Sequence, residues 1–314
     1  MAVTSLLDTV FRRRKKKKST EFESNSAVFE FDFDTIKAAT NEFSQLVGHG
    51  GFGSVYKGRL QSGQEIAVKI LSKNSIRTER QFHNELNILS KLRHKNLISL
   101  LGFCTKRDQH CLVYEFMPNS SLDCFLLDPH RASQLNLKPK IVGFELARMM
   151  QQCENEAEST VIVGTIGYLD PEYLRSGRVS VKSDVYAFGV TILTIITRRK
   201  AWSVDGDSLI EYVMRCWNRG EAIDVIHEVM REEEREDSIS EILRYIHIAL
   251  LCIDENAETR PSIDRVLHWF SCISTPLPEP TSGNRFLGKE ETNWPWSLSL
   301  SPGHSSVTSP ISSR

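Results

Sequence analysis

Residues 48–55 read Gly48-His49-Gly50-Gly51-Phe52-Gly53-Ser54-Val55, and the spacing Gly-x-Gly-x-x-Gly within them decides how the surrounding chain folds. Glycine carries no Cβ, so backbone at these positions can approach a polyphosphate without side-chain clash. In a dinucleotide-binding fold such a stretch opens a helix. Here it runs into Val55-Tyr56, the start of another strand-like segment, so a hairpin is expected. Working outward, Leu46 to Leu71 reads as strand, glycine turn, strand, turn, strand. Ile76 to Leu92 reads as a helix, with Phe82, Leu86 and Leu89 spaced for one apolar face. Leu97 to Phe103 and Cys111 to Phe116 are short strand-like runs. Residues 28–117 are therefore expected to form a β-rich unit with one main helix, opening with an extended stretch at Val28, Phe29, Phe31 and Phe33. Asp34 and Thr35 are placed to cap a short helix through Ala38 and Ala39.

Several elements follow in an order that resembles protein kinases. Ile66-Ala67-Val68-Lys69 has the form of the kinase V-A-I-K strand, which implies that Lys69 contacts phosphates and pairs with Glu85 on the next helix. Phe31-Asp32-Phe33-Asp34-Thr35-Ile36 and Ala39-Thr40-Asn41-Glu42-Phe43-Ser44 resemble the stretch leading into plant receptor-like kinase domains. Leu112-Val113-Tyr114-Glu115-Phe116-Met117 resembles their hinge, with Tyr114 as gatekeeper and Met117 offering backbone hydrogen bonds to adenine. Ser121-Leu122-Asp123 and Phe125-Leu126-Leu127-Asp128-Pro129 resemble the cysteine-rich receptor-like branch. The resemblance covers residues 28–278. It implies an α+β, two-lobed kinase fold and an ATP cradle of Val47, Gly48, His49, Gly50, Gly51, Phe52, Gly53, Ser54, Val55, Lys69, Glu85, Tyr114 and Met117.

Later landmarks carry the resemblance into a helical half. Gly164-Thr165-Ile166-Gly167-Tyr168 resembles the end of an activation segment, and Asp170-Pro171-Glu172 stands where the family has A-P-E. Asp184-Val185-Tyr186-Ala187-Phe188-Gly189 resembles the central helix of the large lobe. Arg260-Pro261 resembles the family's late arginine, which implies a structural ion pair with Glu172. Helices are expected at 184–197, 209–217, 239–251 and 261–270.

Phosphoryl transfer in this fold needs three further groups. An aspartate in H-R-D accepts the hydroxyl proton, while a following asparagine and the D-F-G aspartate hold magnesium. No His-Arg-Asp triplet occurs in the sequence. Two alignments stay open. His130-Arg131-Ala132 is a remnant catalytic loop without its aspartate, or the chain passes from Gln134-Leu135-Asn136-Leu137 straight to Lys138-Pro139-Lys140-Ile141, omitting a helix and the loop. Lys140-Ile141-Val142-Gly143-Phe144-Glu145 aligns with the D-F-G region without a gap. Gly143 then stands at the metal-binding aspartate and Glu145 at the glycine. No residue is assigned as catalytic or as a metal ligand; ATP is the expected ligand and magnesium is not expected. Loss of a helix would leave Val190 and Leu193 exposed.

Composition bounds the rest. The 314 residues are 40% hydrophobic and 25% charged, with a formal net charge of −1. Such a balance gives no global field for nucleic acid. Seven cysteines without a C-x-x-C pair argue against a zinc site or a disulfide framework, and Cys104, Cys111 and Cys252 read as core residues. No run of about 18 apolar residues occurs. Arg12 to Lys18 is an unbroken basic run. It reads as a solvated, disordered segment, a contact for an anionic membrane surface, or a nuclear localisation patch. Residues 1–27 are expected to be a disordered terminus and linker, 118–274 a truncated large lobe, and 275–314 a disordered Ser/Pro-rich tail.

Three functions are weighed. The first is a pseudokinase that binds related receptor-like kinases or their substrates in the cytoplasm, peripherally at the plasma membrane. The second is an active serine/threonine kinase using substitute groups. The third is an unstable product of a damaged gene.

Overall fold

The alternation Ile66, Val68, Ile70 against Ala67, Lys69, Leu71 directs one strand's side chains to two separate cores. This strand lies inside a six-stranded sheet of a computed structural model. The structure describes residues 28–50, 53–71, 76–106, 109–126, 138–150, 156–159, 161–203, 208–233, 236–280 and 306–310. The chain divides into two units. The first comprises Lys17–Ser121 and Lys138–Met149; the second comprises Leu122–Leu137 and Met150–Arg314, together with Met1–Lys16. The expected boundary after residue 117 thus falls four residues later, and Lys138–Met149, expected in the large lobe, joins the first unit.

In the first unit the strands are β1 (Phe29–Glu30), β2 (Leu46–Gly50), β3 (Gly53–Arg59), β4 (Glu65–Leu71), β5 (Leu100–Lys106) and β6 (Gln109–Glu115). Their order across the sheet is β1-β5-β6-β4-β3-β2. β1 runs parallel to β5, and the other pairings are antiparallel. Helix α1 (Phe33–Ala39) contributes Ile36 to the core on one face, with Ile66, Val68, Cys104, Cys111 and Val113. It begins earlier than expected: Asp32 is the cap residue, its side chain makes no capping bond, and Asp34 lies in the first turn. Helix α2 (Ile76–Lys91) packs on the other face through Phe82, Leu86 and Leu89, joined by Leu71, Ile98, Leu100, Leu112 and Tyr114. Each fully buried side chain of this size contributes about 1.5–3 kcal/mol, so the helix is held mainly by this stripe. Cys104 and Cys111 face each other across β5 and β6 as fully buried core residues.

In the second unit the elements are α3 (Leu122–Leu126), β7 (Glu156–Glu158), β8 (Val161–Thr165), α4 (Pro171–Ser176), β9 (Arg178–Ser180), α5 (Val181–Thr197), α6 (Leu209–Asn218), a 3-10 turn at Ala222–Val225, α7 (Glu228–Glu233), α8 (Glu236–Cys252) and α9 (Ile263–Ser271). β10 (Ser306–Pro310) pairs antiparallel with β8, so these five residues of the expected disordered tail are in a strand; most of the rest of that tail lies outside the described residues. Capping boxes start α5 (Ser180 with Ser183) and α6 (Ser208 with Glu211). α5 runs against α8 at Gly189, where an added Cβ would sit 2.7 Å from Ile253 Cγ2 and 2.8 Å from Cys252 Cβ.

The expectation of an uncovered central helix is corrected here. Val190 and Leu193 have no solvent exposure. They share one core with Phe125 and Leu126 of α3, Val213 and Met214 of α6, and Ile242, Ile246 and Ala249 of α8. No helix among the described residues is long and apolar enough to cross a membrane.

Candidate functional site

The period-two alternation that sends Val68 to one core puts Lys69 on the α2 side of the sheet. On α2, Glu85 shares the face of Phe82 and Leu89, so it is carried into the interior with only 1% of its surface exposed. Lys69 Nζ lies 3.1 Å from Glu85 Oε2. A second carboxylate meets the same ammonium: Glu145 Oε2 is 3.2 Å from it. The side chains of Lys69, Glu85 and Glu145 are 13%, 2% and 9% exposed. One cation therefore stands between two buried anions.

The segment bringing Glu145 there is fixed at several points. Ile141 forms a parallel bridge with Leu97, and Asn96 Nδ2 donates to Pro139 O at 2.9 Å. Lys140 Nζ donates to Glu115 Oε1 at 2.5 Å, and Ser99 N donates to the same oxygen at 2.7 Å. Burial would raise the Glu115 carboxyl, but these contacts hold it below its ordinary value. Gly143 turns the chain at φ +83°, in the left-handed region that side-chain-bearing residues rarely adopt. Phe144 N donates to Glu85 Oε1 at 3.2 Å, and the Phe144 ring packs in the α2-side core. Asn84 Nδ2 lies within hydrogen-bond distance of the carbonyls of Phe144, Glu145 and Ala147, at 3.2, 3.2 and 2.6 Å.

Polar atoms at this site are incompletely satisfied. Glu145 Oε2 is buried and, despite its nearness to Lys69, makes no aligned hydrogen bond. The Tyr114 hydroxyl is likewise buried without a hydrogen bond. Burial, followed by the negative charges of Glu85 and Glu145, pushes that phenol well above its ordinary value.

Val47, Gly48, His49 and Gly50 lie on β2; Gly53, Ser54 and Val55 lie on β3, with Gly50 opposite Gly53. Gly51 and Phe52 lie outside the described residues. His49 Nδ1 is 2.9 Å from Ser54 Oγ. Gly53 is glycine for a packing reason as well, because at φ +146° its Cβ would sit 2.1 Å from the Ile70 carbonyl oxygen. At Gly50 a Cβ would meet nothing within 4 Å. Val47 is 41% exposed, and Met117 packs against the α2-side core. The stretch with His130-Arg131-Ala132 and Gln134-Leu135-Asn136-Leu137 lies outside the described residues, as does Arg12–Lys18.

In the second unit the expected Arg260–Glu172 pair is replaced by another. Arg260, 1% exposed, donates from Nη2 to Asp170 Oδ1 at 2.8 Å. Its Nε donates to Asp254 O at 2.6 Å and its Nη1 to Lys182 O at 3.2 Å. Asp170 Oδ1 also caps α4 by accepting from Glu172 N at 2.9 Å, and its Oδ2 accepts from Ser183 Oγ at 2.7 Å. A capping carboxylate turns inward over the helix start, which is why Asp170 and not Glu172 reaches the buried arginine. Burial would raise the Asp170 carboxyl; Arg260 and Ser183 hold it below its ordinary value. Glu172 points outward and pairs with Arg178 at 3.0 Å. Burial raises the Asp184 carboxyl above its ordinary value. No cluster of three or more His, Cys, Asp or Glu among the described residues is arranged to hold a metal ion.

Sequence reasoning missed two partners. The Asp-Pro-Glu order is a helix-start signature, with a capping acid before a first-turn proline, and it points to Asp170 as the inward group. Nothing in the sequence marks Asn84 as the anchor of residues 144–147.

The comparisons agree with this geometry. A family model described as protein tyrosine and serine/threonine kinase matches residues 41–140. One described as protein kinase domain matches residues 125–270. The chain is 77% identical to Cysteine-rich receptor-like protein kinase 45 of Arabidopsis thaliana, across 100% of both chains. That alignment extends over 355 positions, so 41 of them (355 less 314) stand opposite no residue here. It is 39% identical to Cysteine-rich receptor-like protein kinase 38 and 37% identical to Cysteine-rich receptor-like protein kinase 4 of the same organism, across 80% and 86% of this chain. It spans about half the length of these two relatives, 45% and 48%.

Proposed function

The chain belongs to the cysteine-rich receptor-like protein kinases, and from that membership we propose that it is a pseudokinase: a kinase-fold binding module that takes an adenine nucleotide and does not transfer its phosphate. The observation that carries this reading is Gly143. It occupies the position of the metal-holding aspartate and has no side chain to ligate magnesium. The neighbouring acid, Glu145, is committed to Lys69. The sequence has no His-Arg-Asp triplet to supply a base. These donors do not fit a magnesium-dependent phosphoryl transfer.

Enzymatic acceleration is worth about 8–23 kcal/mol, and binding that does not favour the transition state leaves turnover unchanged. The retained hairpin, Lys69 and Glu85 support nucleotide binding. On this reading the chain acts by occupying partners of active relatives, namely receptor-like kinases or their substrates. Its basic run at Arg12 to Lys18 docks on an anionic membrane surface.

The test is phosphate transfer from radiolabelled ATP to a generic protein substrate, with wild type beside Lys69→Ala. We expect no transfer above background from either. Transfer by wild type that disappears in Lys69→Ala would establish an active kinase with substitute groups.

A further inference from the structure

We propose that Glu145 is a built-in competitor for Lys69, a tethered carboxylate that holds the place of a nucleotide phosphate and makes the cradle selective against charged phosphate chains. The proposal rests on the reading that the cradle takes an adenine ligand. It concerns which ligands enter and what opposes them.

The geometry lies wholly within the first unit. Lys69 offers one positive charge, and Glu85 and Glu145 approach it at 3.1 and 3.2 Å. Among the described residues no other lysine or arginine pairs with either acid. The trio therefore carries one surplus negative charge while nearly buried, where charges interact more strongly than in water. A polyphosphate arriving at Lys69 meets an ammonium already neutralised and an anion in its place. A carboxylate on the same chain competes at an effective concentration that a free ligand must exceed.

The competitor is held in position. Gly143 makes the turn at φ +83°, and Asn84 gathers the carbonyls of residues 144, 145 and 147. The contact is also displaceable, because it rests on charge without an aligned hydrogen bond. Glu145 Oε2 has no aligned hydrogen bond, and the Tyr114 hydroxyl beside the acids has none either. A neutral adenine-containing ligand makes no demand on Lys69 and is not opposed. An uncharged adenine nucleoside accordingly enters unopposed, and the nucleotide of the proposed function binds by displacing Glu145 from Lys69.

Calorimetric titration of the purified full chain tests this, using ATP, ADP and adenosine in chelator-treated buffer with wild type and Glu145→Gln. The amide keeps the shape and removes the charge. ATP affinity is expected to rise about tenfold or more in the variant, ADP less, while adenosine binding stays the same. Equal ATP affinity in the two proteins, or an equal gain for adenosine, overturns the inference and leaves the nucleotide-binding reading standing. Binding of no adenine ligand by either protein overturns that reading and the inference with it. Circular dichroism first confirms that the variant folds. If it does not, Glu145→Asp, whose carboxylate stops one methylene short, carries the same titrations and the same criteria.

Discussion

Two buried charge clusters, one in each unit, use the same chemistry to opposite effect. In the second unit Arg260 meets a single acid, Asp170, and its remaining donors go to the carbonyls of Lys182, Asp254 and Glu255. Both oxygens of Asp170 are occupied. In the first unit Lys69 meets two acids, and an oxygen of Glu145 and the hydroxyl of Tyr114 stay without hydrogen bonds. A balanced cluster locks chain segments together. An unbalanced one holds a group that a ligand can displace, at the expense of local stability. Burial alone does not tell the two apart; the count of charges and satisfied lone pairs does.

The largest expected effect lies in the balanced cluster. Arg260→Met strands Asp170 in the interior and is expected to cost about 3–5 kcal/mol in urea unfolding. A cost below about 1 kcal/mol, the scale of an exposed pair, would erase the contrast between the clusters.

Acid should find the same cluster next. The Asp170 carboxyl is held lower in the folded chain than in the unfolded chain. Its contribution is therefore complete above the ordinary carboxylate value and drains away as pH falls through the depressed folded value. Unfolding midpoints followed from neutral pH downward should show Asp170→Asn less pH-sensitive than wild type. Parallel curves would remove Asp170 from the acid response.

The smallest effect belongs to the outward neighbour. Glu172 and Arg178 form a pair whose side chains are 26% and 48% exposed. Glu172→Ala should cost no more than about 1 kcal/mol. A loss matching that of Arg260→Met would return Glu172 to the structural role the resemblance implied.

Much of the first unit is legible in the sequence because its signals are local. The glycine hairpin, the two faces of β4 and the stripe Phe82-Leu86-Leu89 are periodicities within one element, and the Lys69–Glu85 meeting follows from two such faces packing together. What escaped depends on distance along the chain. Glu145 was visible as a substitution, but its reach to Lys69 depends on the Gly143 turn and on Asn84, some 60 residues earlier. Asp170 stands in the sequence as a departure from A-P-E, and its inward cap is visible in the fold. The exposure expected of Val190 and Leu193 assumed that only a missing helix could cover them. Side chains of α3, α6 and α8 do so, because apolar surface is buried by whatever elements can reach it.

The membership of Lys138–Met149 in the first unit has a consequence for how that unit is made. On the ribosome, Glu85 emerges 59 residues before Phe144. At roughly 5–20 residues per second that interval is about 3–12 s. In the first half of it α2, β5 and β6 are completed, and in the second half every strand of the sheet exists while the competing acid does not. A nascent chain at this stage presents its lysine to cytosolic anions more openly than the finished protein does. The hydrogen bonds of Asn84 form only when Phe144, Glu145 and Ala147 arrive, so the last segment of the unit to be synthesised is also the one that closes it.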